Sequence, residues 1–152
     1  MSGSLMNMWG CMKSSSVFDC TLIHLPVVHN VAGNITAINN GDGIIPFNVN
    51  RVYYLYDIPG GEGRGAHAHK ELQQLIVAAS GSFDITIDDG KTKRTFNLSR
   101  PYLGLYLPSG LWREIDNFSS GAICLVLASH KYDEGDYIRE YTDFLNYKND
   151  DK

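Results

Sequence analysis

Apolar and polar residues alternate with a period of two along most of this 152-residue chain, and turn-forming residues interrupt the alternation every few positions. Phe83, Ile85 and Ile87 interleave with Asp84, Thr86 and Asp88. Successive side chains of a strand point to opposite faces, so this stretch reads as a half-buried strand. Asp89-Gly90 then signals a hairpin, with residues 91–98 as the return strand. Residues 72–79 and 122–128 are near-continuous apolar runs of strand length, the first turned by Gly81. In 51–56, Val52, Tyr54 and Tyr56 fall on one face, Tyr53 and Leu55 on the other. Further strands are expected at 21–28 (an edge strand, because of Pro26), 35–38, 103–107 and 112–118. A turn around Gly33 and glycine-rich loops at 39–43 and 59–65 separate them.

Only the end changes period. Tyr137, Tyr141, Phe144 and Leu145 recur at helical spacing, with Asp136 or Asp133 as N-cap. About eight to ten short strands closed by one amphipathic helix make an all-β domain, a sandwich or jelly-roll barrel with a short C-terminal helix. The chain shows neither a long internal repeat nor a linker.

This length suits one domain, able to bury roughly two-thirds of its unfolded surface. Residues 20–148 are read as that domain and 149–152 as a tail. Residues 1–19, with Met6, Met8, Trp9 and Met12 among serines and glycines, are set aside as flexible or of cloning origin. They lack the continuous apolar stretch of a signal peptide. The net charge of −4 argues against a general nucleic-acid surface. No apolar run reaches the ~18 residues of a membrane span. Cys11, Cys20 and Cys124 are odd in number and without CxxC spacing, which fits free thiols in a cytoplasmic protein.

The chemistry concentrates between Gly61 and Gly81, where His67-Ala68-His69 is followed after four residues by Gln74. On a strand, His67 and His69 share a face and project into one cavity. This spacing resembles the first cupin motif: glycine, HxH, carboxylate, glycine. Pro108-Ser109-Gly110, Arg113 and Asn117 resemble the second, although Tyr102 stands where a glycine is expected. In metal-binding cupins a glutamate and a histidine occupy the places of Gln74 and Arg113. A neutral amide is a weak ligand, and a guanidinium stays protonated and repels a cation. A metal-free, cofactor-free site is therefore expected. Two imidazoles facing a barrel interior suit proton transfer, one at carbon and one between oxygens.

Three stretches sharpen the resemblance: 51–56 (RVYYLY), 64–70 (RGAHAHK) and 126–141 (VLASHKYDEGDYIREY). Together they are similar to the sugar 3,4-ketoisomerases that act on dTDP-4-keto-6-deoxyglucose, over roughly residues 20–148. The resemblance implies a metal-free cupin homodimer that binds a dTDP-linked keto-deoxysugar and serves the deoxysugar biosynthesis of lipopolysaccharide or other surface polysaccharide. It implies His67 and His69 as the proton-transfer pair, and we read His67 as the one acting at carbon and His69 as the relay between oxygens. Arg51 and Arg64 match arginines near the diphosphate, where a bidentate fork suits phosphate. Tyr53, Gln74 and Arg113 complete the expected substrate-binding set. Tyr137 and Tyr141 are read as core or dimer packing.

Two positions depart from the family. Arg113 stands where many members carry histidine, and Ala32 where some carry arginine; Arg113 favours a gluco outcome at carbon 4. Two rival readings stand beside this one: a nucleotide-sugar 3,5-epimerase, and a sugar-binding cupin without activity.

Overall fold

The computed structural model describes residues 14–150. The readings of residues 1–13 and of Cys11 fall outside the described residues, as do 151 and 152. The strands are β1 (Thr21–His24), β2 (Val28–Asn30), β3 (Gly33–Ile35), β4 (Arg51–Leu55), β5 (Arg64–His69), β6 (Gln74–Ser80), β7 (Phe83–Asp88), β8 (Lys93–Leu98), β9 (Leu103–Leu107), β10 (Trp112–Asp116), β11 (Ile123–Ala128) and β12 (Tyr137–Ile138). One helix, α1 (Tyr141–Asn149), follows. Two five-stranded antiparallel sheets, ordered β1-β9-β6-β11-β4 and β12-β5-β10-β7-β8, face each other. The fold is the all-β jelly-roll expected from the alternation.

Between the sheets lies the main core. Phe83, Ile85, Ile87, Leu98, Leu105 and Leu107 are wholly buried there. The continuous apolar run of β6 has a simple cause: Ile76 and Ala78 face this core, while Leu75 and Val77 face a second cluster with Leu25, Ile45 and Leu127. Leu75 packs so tightly on β9 that a Cβ at Gly104 would come within 2.8 Å of its Cδ1, which explains a glycine in mid-strand. A third cluster, Ala68, Trp112, Ile138 and Phe144, fastens α1 to the outside of β5 and β10.

The structure corrects the sequence reading at four places. The strand expected at 21–28 stops at His24, before Pro26, which has no N–H for a ladder. The chain then forms the exposed β2–β3 hairpin, with Val31 and Ala32 at its turn, in place of a strand at 35–38. The helix starts at Tyr141, not near Asp136: Asp133 caps a 3₁₀ turn at Glu134–Asp136, and Tyr137–Ile138 pairs with β5. Finally, residues 14–19 belong to the fold. Ser16 and Asp19 form a capping box around the 3₁₀ turn Val17–Asp19, the Val17 N–H donates to Asp89, and the Val17 side chain is wholly buried.

Candidate active site

Strand parity and register build the site. On β4 the burial alternates, turning Arg51, Tyr53 and Leu55 inward and Val52 and Tyr54 outward. On β5, Gly65 takes φ +77°, in the left-handed region that favours glycine, opposite a bulge in β10 between Arg113 and Ile115. The register then sets Arg113 directly across from His67, and Tyr137 of β12 across from His69. Cross-strand partners on one face lie about 5 Å apart at Cβ, so these four side chains form one group. His67, Arg113 and Tyr137 border a cleft of about 680 Å³ between the sheets, reached also by Arg51, Tyr53, Arg64, Gln74 and Arg139. Of the seven expected site residues, six line this cleft; His69 lies directly behind His67 and is wholly buried.

The two imidazoles meet at Nε2, 3.1 Å apart. Nδ1 of His69 lies 3.1 Å from a carboxylate oxygen of Asp136. Asp136 also accepts from the N–H of Glu71 (2.7 Å) and of Leu72 (3.2 Å). Burial alone would raise its carboxyl, but the His69 bond and these two N–H groups outweigh burial and hold it below its ordinary value. Tyr137 packs against both rings, with centroids at 5.1 Å from His67 and 4.4 Å from His69. Its expected place in a core or packing stripe is thus replaced by a place in the cleft. Asp136 and Tyr137 were missed as site residues because the helical period was extended back over them. The signal lay in the 126–141 string itself, which carries both.

Across from the histidines, Arg113 is 2% exposed. It donates through Nη1 to Gln74 Oε1 and through Nη2 to the Leu111 carbonyl (3.3 Å), while its Nε finds no partner. Gln74 in turn donates through Nε2 to the Tyr53 hydroxyl oxygen at 3.0 Å. None of these bonds neutralises the guanidinium. Burial draws its pKa down to about 10, which leaves it charged at neutral pH. The consequences spread across the cleft. Burial, with Arg113 next, lowers His67 to about 2. Burial lowers His69 to about 4 against the opposing pull of Asp136. Burial raises the Tyr53 phenol, although Arg113 and the Gln74 bond oppose it. At neutral pH the imidazoles are therefore uncharged bases and the phenol an uncharged donor.

The mouth is cationic. Arg51 stacks 4.5 Å over the Tyr53 ring and keeps a buried Nη1 without a partner. Arg64 is exposed at the rim, and Arg139 lies 4.2 Å over Tyr137 while paired with Glu134. Ala32 lies in the exposed hairpin and does not line the cleft of its own chain. The donor set does not suit a metal: the carbonyl oxygen of Gln74 is taken by a buried guanidinium, which repels a divalent ion.

A family model described as WxcM-like, C-terminal (FdtA) matches residues 18–149. The chain belongs to this family. Within reach of it stands the TDP-4-oxo-6-deoxy-alpha-D-glucose-3,4-oxoisomerase of Aneurinibacillus thermoaerophilus, 41% identical over 126 residues, 83% of this chain and 90% of the relative. Two crystal structures resemble this chain in both fold and sequence. The 3,4-ketoisomerase from Helicobacter canadensis is 42% identical with a TM-score of 0.84, covering 87% of this chain and 98% of its own. The WlaRB TDP-quinovose 3,4-ketoisomerase from Campylobacter jejuni is 43% identical with a TM-score of 0.80, covering 86% and 99%.

Proposed function

We propose that this chain is a 3,4-ketoisomerase of a TDP-linked 4-keto-6-deoxyhexose, working by acid–base chemistry without a metal. One observation carries the reading: an uncharged histidine pair, backed by a carboxylate, faces a buried and uncompensated guanidinium across a cleft, in a chain of the WxcM-like family. His67 reaches the cleft and takes the proton on carbon 3. The C–H electron pair becomes the C3–C4 double bond, and the ketone oxygen on carbon 4 becomes an enolate. A proton passes from the oxygen on carbon 3 to the oxygen on carbon 4, His67 returns a proton to carbon 4, and the ketone re-forms at carbon 3. His69, wholly buried and outside the cleft lining, acts through His67 and does not itself touch the sugar, so the relay between oxygens expected of it is withdrawn.

The chain of bonds from Arg113 through Gln74 leaves the Tyr53 O–H free to donate to a sugar oxygen. Arg113 lies where negative charge develops, and a preorganised cation in a water-poor site favours the enediolate over the ketone. Arg51 and Arg64 hold the diphosphate. A homodimer fits the apolar groove of about 540 Å³ on the outer sheet face and the exposed Val28, Val31 and Ile35 of the β2–β3 hairpin. A cytoplasmic setting fits the free, buried thiols of Cys20 and Cys124.

The test is NMR of the sugar after incubation of exhaustively chelated protein with dTDP-4-keto-6-deoxyglucose in D₂O. The expected result is a 3-keto product carrying deuterium at carbon 4, and the coupling constants of the same product formed in H₂O should report the gluco configuration. Epimerisation with exchange at carbon 5 would establish the epimerase instead. Binding with neither product nor exchange would establish a silent sugar binder. Activity that returns only with an added divalent ion would remove the metal-free mechanism.

A further inference from the structure

We infer that Asp136 is a positioning residue that fixes which nitrogens of the histidine pair carry protons, and thereby leaves Nδ1 of His67 as the base nitrogen. The inference deepens the ketoisomerase reading and rests on it for the word base. Its first step is geometric. Two backbone N–H groups and the 3₁₀ turn Glu134–Asp136 hold the carboxylate in place behind the pair. An ionised carboxylate only accepts, so the 3.1 Å contact requires a proton on Nδ1 of His69. A neutral imidazole has one N–H, which leaves Nε2 of His69 with a lone pair. That lone pair faces Nε2 of His67 at 3.1 Å, and a hydrogen bond there needs one proton between the two. The proton must belong to His67. With its N–H on Nε2, His67 keeps a lone pair on Nδ1.

Neutrality of both rings is essential to the count. The charged and titratable groups facing the pair are Arg113 from β10, Tyr137 from β12, Arg139 just beyond it, and Arg51 from β4. The cations disfavour a second proton, and burial acts the same way; the Gly65 backbone, which accepts from the His67 ring and so competes for its single N–H, is weaker than each of these influences, and Nδ1–H directed at it is the arrangement that a ¹⁵N spectrum would report against the inference. His67 borders the cleft and His69 does not, so the bare nitrogen sits on the ring that meets the sugar. The opposite tautomer chain would start from Nδ1–H on His67 and could accept nothing from carbon. A misplaced tautomer of this kind costs an aspartate-oriented histidine about 10⁴-fold in turnover in serine proteases.

The experiment is ¹⁵N NMR of ligand-free wild-type protein at neutral pH, joined to kinetics of Asp136→Asn. The wild-type spectrum is expected to show His69 protonated at Nδ1 and His67 at Nε2. Asp136→Asn is expected to disturb both signatures and to slow carbon 3 exchange and kcat by about 10²–10⁴-fold, with KM within a few-fold. His67 protonated at Nδ1, or His69 at Nε2, would overturn the inference. So would a folded Asp136→Asn that exchanges at the wild-type rate. Should that variant not fold, the wild-type spectrum decides alone. The expected tautomers in a wild-type protein that exchanges no carbon 3 hydrogen would confirm the proton arrangement and remove the ketoisomerase reading beneath it.

Discussion

The barrel interior has two ends, equally buried and chemically opposite. At the packed end, Phe83, Ile85, Leu98 and Leu105 are wholly buried, and Phe83 lies against Phe118 with ring centroids 5.4 Å apart. At the cleft end, His69, Gln74 and Arg113 are as inaccessible, at 0%, 2% and 2%. Apolar burial at the first end stabilises the fold at about 25 cal/mol per Å² removed from water. At the second end every buried polar atom must find a partner or cost stability, and Arg51 Nη1 and Arg113 Nε have none. Among the described residues, two of the three such side-chain atoms thus lie where a substrate would enter; the third, Ser109 Oγ, does not line the cleft. Stability is held at one end of the barrel and spent at the other, as expected when a site is preorganised for charge that arrives only with its ligand.

This contrast can be broken at either end. At the cleft, His67→Asn is expected to lower turnover by about 10²–10⁴-fold while thermal unfolding stays at or above the wild-type temperature. A variant turning over at the wild-type rate would return His67 to the core. At the packed end, Phe83→Ala should cost about 3–5 kcal/mol of folding stability in a denaturant titration, with kcat/KM of the folded protein retained. Loss of activity without loss of stability would mean that the two ends are coupled. At the rim, Arg64→Ala should weaken nucleotide-sugar binding by about 1–3 kcal/mol by calorimetry, and unchanged affinity would make Arg64 a bystander.

The smallest effect is one of pH. The folded-state values of His67 and His69 lie below the ordinary 6.5. The unfolded chain therefore binds more protons from pH 6.5 down to about 4 for His69 and about 2 for His67, so stability present above pH 6.5 is lost as pH falls through that window. The melting temperature of the free protein should decline there, and less so in His67→Asn. A flat profile would show that the pair is protonated in the folded state.

Much of this was legible from pattern. Phe83, Ile85 and Ile87 declared an inward face through alternation alone, and the parity of β4 separated Arg51 and Tyr53 from Val52 and Tyr54. The shared face of His67 and His69 followed from their spacing, as did the poor fit of Gln74 and Arg113 to a metal. What escaped was set by tertiary contact. Tyr137–Ile138 is a strand only because β5 offers it an edge, and two residues leave no periodic trace. The 137, 141, 144, 145 spacing is real, yet its first member sits outside the helix. Residues 14–19 carried a readable cue in Ser16-x-x-Asp19, the capping-box spacing, which composition arguments passed over.

The order in which the site is completed along the chain has a consequence for how the protein comes into being. Ten of the twelve strands, and both histidines, have been synthesised by Asp116, and the remaining cleft strand β11 by Ala128. The carboxylate at 136 and the ring at 137 emerge afterwards, on a two-residue strand at the sheet edge that is pinned by Ile138 and Phe144 beneath Trp112. A nascent chain paused between those points would own its histidines without the group that orients them. The chemistry is thus completed after every other strand of the cleft, and a half-made barrel has no ordered base with which to attack a ligand.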